Sequence, residues 1–132
     1  MAEPIIYIDR SDILDGGIAE VRARMHDLAA FAEEREPQLI AYHFYIDASE
    51  STMSVAAVHP DTASMELHLE IGGPKFRGFA PFIRMRSIDL YGAPSPAVVD
   101  RLRQKAEMLG GALVTVHTLE AGFSHLGGRR DG

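Results

Sequence analysis

The chain has 132 residues, of which 46% are hydrophobic and 24% are charged, a size and composition typical of one globular domain. Its formal net charge of −6 opposes the phosphate backbone of nucleic acids, and Lys and Arg are scattered, so we expect no nucleic-acid partner. Because it contains no cysteine, the chain has no disulfide, thiolate metal site or cysteine nucleophile.

The first predicted elements are a strand and a helix. Residues 5–8 are β-branched or aromatic and are followed by polar residues 9–12, which predicts a short strand and then a turn. After the glycines at 16–17, apolar residues recur at spacings of three and four, which predicts an amphipathic helix that ends before Pro37. The apolar stripe consists of Ile18, Val21, Met25, Leu28 and Phe31.

A β-hairpin is predicted next. Residues 39–46 and 52–58 are rich in β-branched and aromatic side chains, and the polar residues 47–51 between them are typical of a turn. We therefore predict two antiparallel strands. His59 comes directly before Pro60, which breaks the second strand, so we expect His59 to be a loop residue.

A second helix and a fourth strand follow. Asp61 can cap a helix N-terminus, and the Gly-Gly-Pro sequence at 72–74 predicts the end of that helix after about three turns. A short second turn of helix is predicted at Phe76, Phe79 and Phe82, and residues 84–91 are typical of a strand. The order βαββαβ predicts an α+β fold of ferredoxin-like type with an antiparallel sheet.

A third helix and a fifth strand extend this pattern. Ser95 followed by Pro96 is typical of a capped helix N-terminus, and the glycines at 110–111 predict the helix end. The apolar stripe of this helix consists of Val98, Leu102, Ala106 and Leu109. Residues 112–119 predict the fifth strand.

These elements suggest one domain over residues 1–126, with a core at 4–92, a C-terminal extension at 93–126 and a flexible tail at 127–132. The N-terminus lacks a basic flank before an apolar stretch, and His43 interrupts the longest apolar run. We therefore expect no membrane partner and, by default, a cytoplasmic location.

The strands are apolar on both of their faces. On the second strand, one face carries Tyr42, Phe44 and Ile46, and the other carries Leu39, Ala41 and Tyr45. Two helices cover only one face of a sheet, and the same face of a second subunit is the simplest cover for the other. We therefore predict a homodimer in which two sheets face each other as a dimeric α/β barrel.

The most informative candidate for chemistry is His68. On a helix, Glu66 and Glu70 share one face and His68 lies nearly opposite them, between apolar side chains, so we expect His68 to point inward. A neutral imidazole in that position can act as a base, a hydrogen-bond donor or a metal ligand. The alternative is a core histidine bonded to a backbone carbonyl or a buried water.

Residues 55–82 combine a strand end, Pro-Asp at 60–61, a short helix with an inward His68, the Gly-Gly-Pro sequence and then Phe76 and Phe79. This arrangement resembles the antibiotic biosynthesis monooxygenase family, over about residues 4–92. The resemblance implies a dimeric α/β barrel that oxidises electron-rich phenols or quinols with dioxygen, without metal or flavin. We therefore expect a small aromatic molecule as ligand and no cofactor.

The same resemblance implies roles for individual residues. His68 would be the catalytic residue that orients or deprotonates the substrate hydroxyl, producing an aromatic anion that gives an electron to oxygen. Phe76, Phe79 and Phe82 would form the apolar walls of the substrate pocket.

Two features depart from the family pattern. The family commonly has a tryptophan where the third strand ends, whereas this chain has His59 there and no tryptophan anywhere. The related haem-degrading branch has a haem-ligating histidine just beyond the short helix, whereas residues 77–80 contain none. Haem degradation is therefore not expected.

Two further side chains are candidates for substrate binding. His43 on the second strand could reach the same pocket as His68, or it could pack at the sheet edge. Arg86 on the fourth strand could bind an anionic substrate, or it could be a solvated edge arginine. No two histidines have the spacing of a zinc-binding helix motif, so we expect no metal.

Three functions remain open from the sequence. The first is a cofactor-independent monooxygenase with His68 as base or donor. The second is a non-catalytic dimer that binds a small apolar ligand or regulates a pathway enzyme, which the missing tryptophan favours. The third is an isomerase or lyase that uses the same pocket for proton transfer. Oxygen consumption separates the first from the third, and any turnover separates both from the second.

Overall fold

The computed structural model describes residues 3–125, which form a five-stranded sheet and three helices. The strands are β1 (Ile5–Ile13), β2 (Ala41–Ile46), β3 (Thr52–His59), β4 (Ile83–Tyr91) and β5 (Leu113–His117). The helices are α1 (Ile18–Arg35), α2 (Thr62–Arg77) and α3 (Pro96–Met108). This is the α+β, ferredoxin-like order predicted from the sequence, with an additional helix and strand.

The sheet has the strand order β2-β3-β1-β4-β5. The four strands of the βαββαβ core pair antiparallel, as predicted. β5 differs, because it pairs parallel to β4. The reason is α3, which returns the chain across the sheet before β5 begins, as the connection between parallel strands requires.

One face of the sheet packs against the helices and forms the core. Alternate strand residues point to that face and join the inward stripes of all three helices in one cluster. Both predicted helix stripes contribute buried residues, among them Val21, Leu28, Val98 and Leu102. Burial of these stripes is what holds the helices on the sheet.

The opposite face of the sheet, here called the open face, is partly or fully exposed in the single chain. It includes Ile6, Ile8, Arg10, His43, Tyr45, Ala56, Val58, Asp89 and Tyr91. No helix in residues 3–125 covers it, since all three pack on the other side.

The predicted turn at residues 9–12 is wrong, because β1 continues through it to Ile13. β1 is a central strand between β3 and β4, and pairing on both edges supplies hydrogen bonds for its backbone. Asp9 and Ser11 therefore occupy inward positions of the strand and are each 1% exposed.

The predicted end of α2 at residues 72–74 is also wrong, because the helix continues to Arg77 with Pro74 inside it. Gly72 lies against the ring of Phe76, whose Cζ would be only 2.6 Å from a β-carbon at position 72. The glycine therefore makes room for a buried phenylalanine in the last turn instead of ending the helix. The predicted cap is confirmed, since Asp61 Oδ1 accepts a hydrogen bond from Ser64 N (2.9 Å).

His59 is not the loop residue that was expected. It is the last residue of β3 and is fully buried under the start of α2. The predicted flexible tail at 127–132 lies outside the described residues. None of the helices in the described part of the chain has the length and apolar character needed to cross a bilayer.

Candidate functional site

A buried carboxylate–histidine pair lies between the sheet and the helices. Glu36 is 2% exposed and His68 is 3% exposed. Nδ1 of His68 lies 2.9 and 3.0 Å from the two carboxylate oxygens of Glu36. Because a carboxylate only accepts, Nδ1 donates, and in the neutral ring Nε2 then carries the lone pair that can take a proton.

Local sequence positions both members of the pair. Pro37 disfavours the helical conformation at Glu36, so α1 ends at Arg35 and the carboxylate turns toward α2. The amide of Glu36 still donates to Ala32 O (2.8 Å), which anchors it to the last turn. On α2, the inward orientation predicted for His68 is confirmed by its burial.

Three rings surround the imidazole of His68. Tyr42 is edge-on to it with ring centroids 4.9 Å apart, and His59 and Phe76 each lie at 5.4 Å. Nδ1 of His59 is hydrogen-bonded to Ser64 Oγ at 2.7 Å. Burial, together with repulsion by His68, lowers the pKa of His59 from 6.5 to about 3. His59 is therefore neutral at physiological pH.

A second buried polar group joins β1 to α3. Tyr7 donates a hydrogen bond to Asp9 Oδ2, and Lys105 donates one to Tyr7 Oη (2.9 Å). The ammonium of Lys105 lies 3.9 Å from Asp9 Oδ2. Burial raises the pKa of Asp9, while Lys105, Tyr7 and His68 act in the opposite direction. Burial lowers the pKa of Lys105, and Asp9 opposes this.

The Asp9 group faces a small space between the sheet and the helices, here called the inner cavity. Its volume is about 20 Å³, which is room for about one water molecule. Its lining includes Asp9, Tyr42, Phe76, Phe79 and Lys105. His68 does not line this cavity, but Tyr42 and Phe76 line it and also contact the His68 ring.

Several surface grooves border this interior, and two of them are lined by one of its buried charged side chains, Glu36 or Lys105. The β2 groove, between the end of α1 and β2, measures about 550 Å³, and Glu36 and Tyr42 are part of its wall. The α2–α3 groove measures about 320 Å³, and Phe76 and Lys105 belong both to its wall and to that of the inner cavity. Both volumes fall in the range of small-molecule sites.

The structure brings some of the sequence-predicted residues together and separates others. Phe76 and Phe79 line the inner cavity, and Phe76 also contacts the ring of His68. Phe82 is half-buried and lies beneath the guanidinium of Arg24, outside the cavity lining.

His43 and Arg86 make their side-chain contacts with residues other than His68. Because neighbouring residues of a strand alternate, Tyr42 points inward and His43 points to the open face, where it contacts Tyr45 Oη at 3.2 Å. Arg86 is exposed and is ion-paired with Asp12. His43 nevertheless lines the β2 groove together with Glu36 and Tyr42, whereas Arg86 does not.

Glu36, Asp9 and Lys105 were missed by the sequence reasoning. Asp9 had a signal, since it follows Ile5 and Tyr7 at the period of two that marks one face of a strand. Lys105 lies beside the stripe residues Leu102 and Ala106, but a lysine at such a position is usually solvated, so it carries no signal of burial. Glu36 had no local signal. Within residues 3–125, no three His, Cys, Asp or Glu side chains cluster as metal ligands do.

The chain has a ferredoxin-like α+β fold that is also found in structures described as antibiotic biosynthesis monooxygenases. It buries acid–base side chains between the sheet and the helices. One such structure, from Caulobacter crescentus and proposed to be a monooxygenase of this family, has a TM-score of 0.63 at 16% identity. The match covers 71% of this chain and 92% of that one. The sequence itself matches no protein-family model and no curated protein.

Two further solved structures extend this comparison. SnoaB from Streptomyces nogalater, a cofactor-independent oxygenase, matches with a TM-score of 0.59 and 18% identity over 71% of this chain and 96% of its own. MupZ from Pseudomonas fluorescens matches with a TM-score of 0.71 and 14% identity over 92% of this chain and 94% of its own. The MupZ match must include α3 and β5, because residues 4–92 are only about two thirds of the chain.

Proposed function

We propose that this protein is a cofactor-independent monooxygenase that oxidises a small, electron-rich phenol or quinol with dioxygen. The observation that carries the proposal is the buried Glu36–His68 pair. Burying a carboxylate and an imidazole contributes little to stability compared with packed apolar side chains, so a chemical role accounts for the pair better. The fold shared with SnoaB, described as a cofactor-independent oxygenase, supports the same reaction class.

In the proposed mechanism, Nε2 of His68 takes the proton from the substrate hydroxyl. Glu36 accepts the hydrogen bond from Nδ1, holds the ring in one tautomer and stabilises the imidazolium that forms. The aromatic anion then gives an electron to dioxygen. The rings of Tyr42 and Phe76 supply aromatic walls for the substrate. Residues of the chain thus provide orientation and proton transfer, and the substrate provides the electron.

The β2 groove is the proposed route to His68. Glu36 and Tyr42 form part of its wall, and both contact the His68 ring. Its volume of about 550 Å³ is sufficient for a molecule of one or two aromatic rings.

Oxygen uptake with a panel of phenols and quinols tests this function. We expect the wild-type protein to consume oxygen with at least one of them, and His68→Gln to lose roughly 10²–10⁴-fold in turnover. His125→Gln, which changes an exposed histidine outside the site, is the matched control and keeps the wild-type rate. Unchanged turnover in the His68→Gln variant on a proven substrate would remove the assigned role.

A proton-transfer isomerase or lyase is the second candidate, because Asp9 is another acid–base group in the same interior. Substrate conversion without oxygen uptake, equal in air and under nitrogen, would favour it. The small inner cavity favours a third account, a protein that binds a ligand without converting it. Ligand binding with no conversion under either gas would support that account.

We also propose that the protein is a homodimer joined through the open face. Ala56 lies at the middle of that face, paired with Ile8 on β1 and His43 on β2. Ala56→Arg should therefore place a charge in the interface and yield a monomer in analytical ultracentrifugation at micromolar concentration. Ala30→Arg, on the exposed side of α1, is the control. A wild-type protein that is entirely monomeric at these concentrations contradicts the proposal.

A further inference from the structure

The α2–α3 groove has an apolar wall, which consists of Leu69, Phe76 and Met108. Leu69 and Phe76 are 7% and 5% exposed, and Met108 is 38% exposed, so part of this wall faces water. An apolar group placed against it removes that surface from water, which is favourable. The volume of about 320 Å³ lies at the lower end of the range for small-molecule sites. The groove therefore suits the apolar part of a small ligand.

Two arginines stand beside this apolar wall. Arg77 is the last residue of α2, Arg101 belongs to α3, and both are exposed and line the groove. Neither guanidinium has a carboxylate within 4.0 Å among residues 3–125, whereas Arg22 and Arg86 each have such a partner. Guanidinium groups bind carboxylates through two parallel hydrogen bonds, and those of Arg77 and Arg101 are available to a ligand.

Lys105 adds a third positive charge to the groove wall. Its Nζ donates a hydrogen bond to Tyr7 Oη (2.9 Å) and lies 4.0 Å from the centre of the Phe76 ring. Asp9 Oδ2, which lies 3.9 Å from this ammonium, offsets part of its charge. Among the described residues, Glu70 is the single carboxylate that lines the groove. Positive charge therefore predominates in this groove, although the chain as a whole has a net charge of −6.

The surroundings favour a head group with one negative charge. The last turn of α2 borders the groove at Arg77, and the C-terminus of a helix carries partial negative charge. Glu70 adds a full negative charge. A carboxylate carries one charge, whereas a phosphate monoester carries nearly two at neutral pH. The groove therefore suits a carboxylate better than a phosphate.

We propose that the α2–α3 groove is a binding site for a small amphipathic carboxylate, whose apolar chain covers the apolar wall and whose head group is bound by Arg77 and Arg101. This site gives a role to α3, which lies outside the βαββαβ core. The groove lies on the helix side of the sheet, opposite the open face, so it stays accessible in the proposed homodimer. His68 does not line it, and the inference does not depend on the proposed function.

Three matched ligands test this inference in titrations of the full chain, followed by the NMR chemical shifts of the amides of α2 and α3. Octanoate has both parts of the proposed ligand, 1-octanol keeps the apolar chain without the charge, and butyrate keeps the charge on a short chain. We expect octanoate to bind at least about tenfold more tightly than either other compound, because only octanoate combines charge-assisted hydrogen bonds with apolar contact.

Surface variants assign the two parts of the ligand to the two parts of the groove. The double variant Arg77→Gln/Arg101→Gln should reduce the preference for octanoate over 1-octanol to about onefold. Arg103→Gln, which removes an exposed arginine of α3 outside the groove, is the matched control and keeps the wild-type preference. Met108→Ser should weaken the binding of octanoate and 1-octanol by the same factor and leave that of butyrate unchanged.

The inference is overturned if octanoate shows no preference, if the preference survives in Arg77→Gln/Arg101→Gln, or if Arg103→Gln loses it equally. Tighter binding of octyl phosphate than of octanoate would overturn the assignment of a carboxylate. The titrations involve neither a phenol nor oxygen consumption. Failure of octanoate to bind therefore leaves the monooxygenase proposal standing, and an absence of oxygen uptake with every phenol and quinol leaves this site standing.

Discussion

Residues 3–125 contain two carboxylate–histidine pairs with the same contact distance and opposite surroundings. Glu36 and His68 lie 2.9 Å apart with side chains that are 1% and 3% exposed. Asp89 and His117 also lie 2.9 Å apart, but their side chains are 20% and 40% exposed. The interaction of charges depends on the local dielectric as well as on distance. The contact distance is the same in both pairs, so it is burial that distinguishes a pair suited to catalysis from an ordinary surface pair.

The largest expected effect comes from removing the carboxylate of each pair. Glu36→Ala leaves the buried His68 Nδ1 without an acceptor, so we expect a loss of about 3 kcal/mol in the free energy of unfolding. Asp89→Ala exposes its partner to water and should cost less than about 1 kcal/mol. Urea unfolding of both variants measures the difference. Equal losses would show that burial does not set the strength of the pairs.

A pH titration extends the comparison to single histidines. Because the pKa of His59 is lowered to about 3 in the folded protein, the unfolded chain binds more protons between that value and 6.5. The contribution of His59 is fully present above pH 6.5 and is lost as the pH falls toward 3. At pH 4 we expect it to lower the free energy of unfolding by about 2–3 kcal/mol relative to pH 7.

His59→Asn should remove this part of the acid sensitivity. Asp9 acts with the opposite sign, because burial raises its pKa and its contribution is lost as the pH rises. Because Asp9 is present in both proteins, the difference between their pH profiles of unfolding free energy reports the contribution of His59 alone. A His59→Asn profile parallel to that of the wild type contradicts this assignment.

Two adjacent glycines of α2 differ in how closely they are packed, as the two pairs differ in burial. An alanine β-carbon at position 72 would lie 2.6 Å from Phe76 Cζ, so Gly72→Ala should displace that ring and cost about 2 kcal/mol. At position 73 nothing apart from the chain neighbours lies within 4 Å of a β-carbon. The following Pro74 opposes the usual helix gain of alanine over glycine, so Gly73→Ala should change the free energy of unfolding by less than about 1 kcal/mol. Thermal unfolding should give a clearly lower melting temperature for Gly72→Ala than for Gly73→Ala.

The smallest expected effect is the salt dependence of the coupling energy in the two carboxylate–histidine pairs. A double-mutant cycle for Asp89→Asn and His117→Asn should give a coupling energy of about 0.2–1 kcal/mol that falls by roughly half in 1 M NaCl, because exposed charges are screened. The corresponding cycle for Glu36→Gln and His68→Gln should change little with salt. A coupling that falls equally in both cycles would mean that water reaches the buried pair.

Much of the fold could be predicted because its signals are local. The stripe of α1 and the caps at Asp61 and Ser95 involve residues within a few turns of one another. His68 and Phe76 could be placed on one side of α2 for the same reason. The failures at residues 9–12 and 72–74 arose where tertiary packing overrides local preference: a central strand pairs across polar residues, and the ring of Phe76 needs a glycine beside it.

The sequence by itself determined the order of the elements, the inward face of each helix and the histidine at the centre of the candidate site. Only the tertiary structure decided which partners that histidine and its neighbours meet. Glu36 lies 32 residues from His68, and Lys105 lies 98 residues from Tyr7. Periodicity describes how one element turns its side chains toward the core. Which side chains from distant elements meet there depends on packing the whole sheet and its helices together.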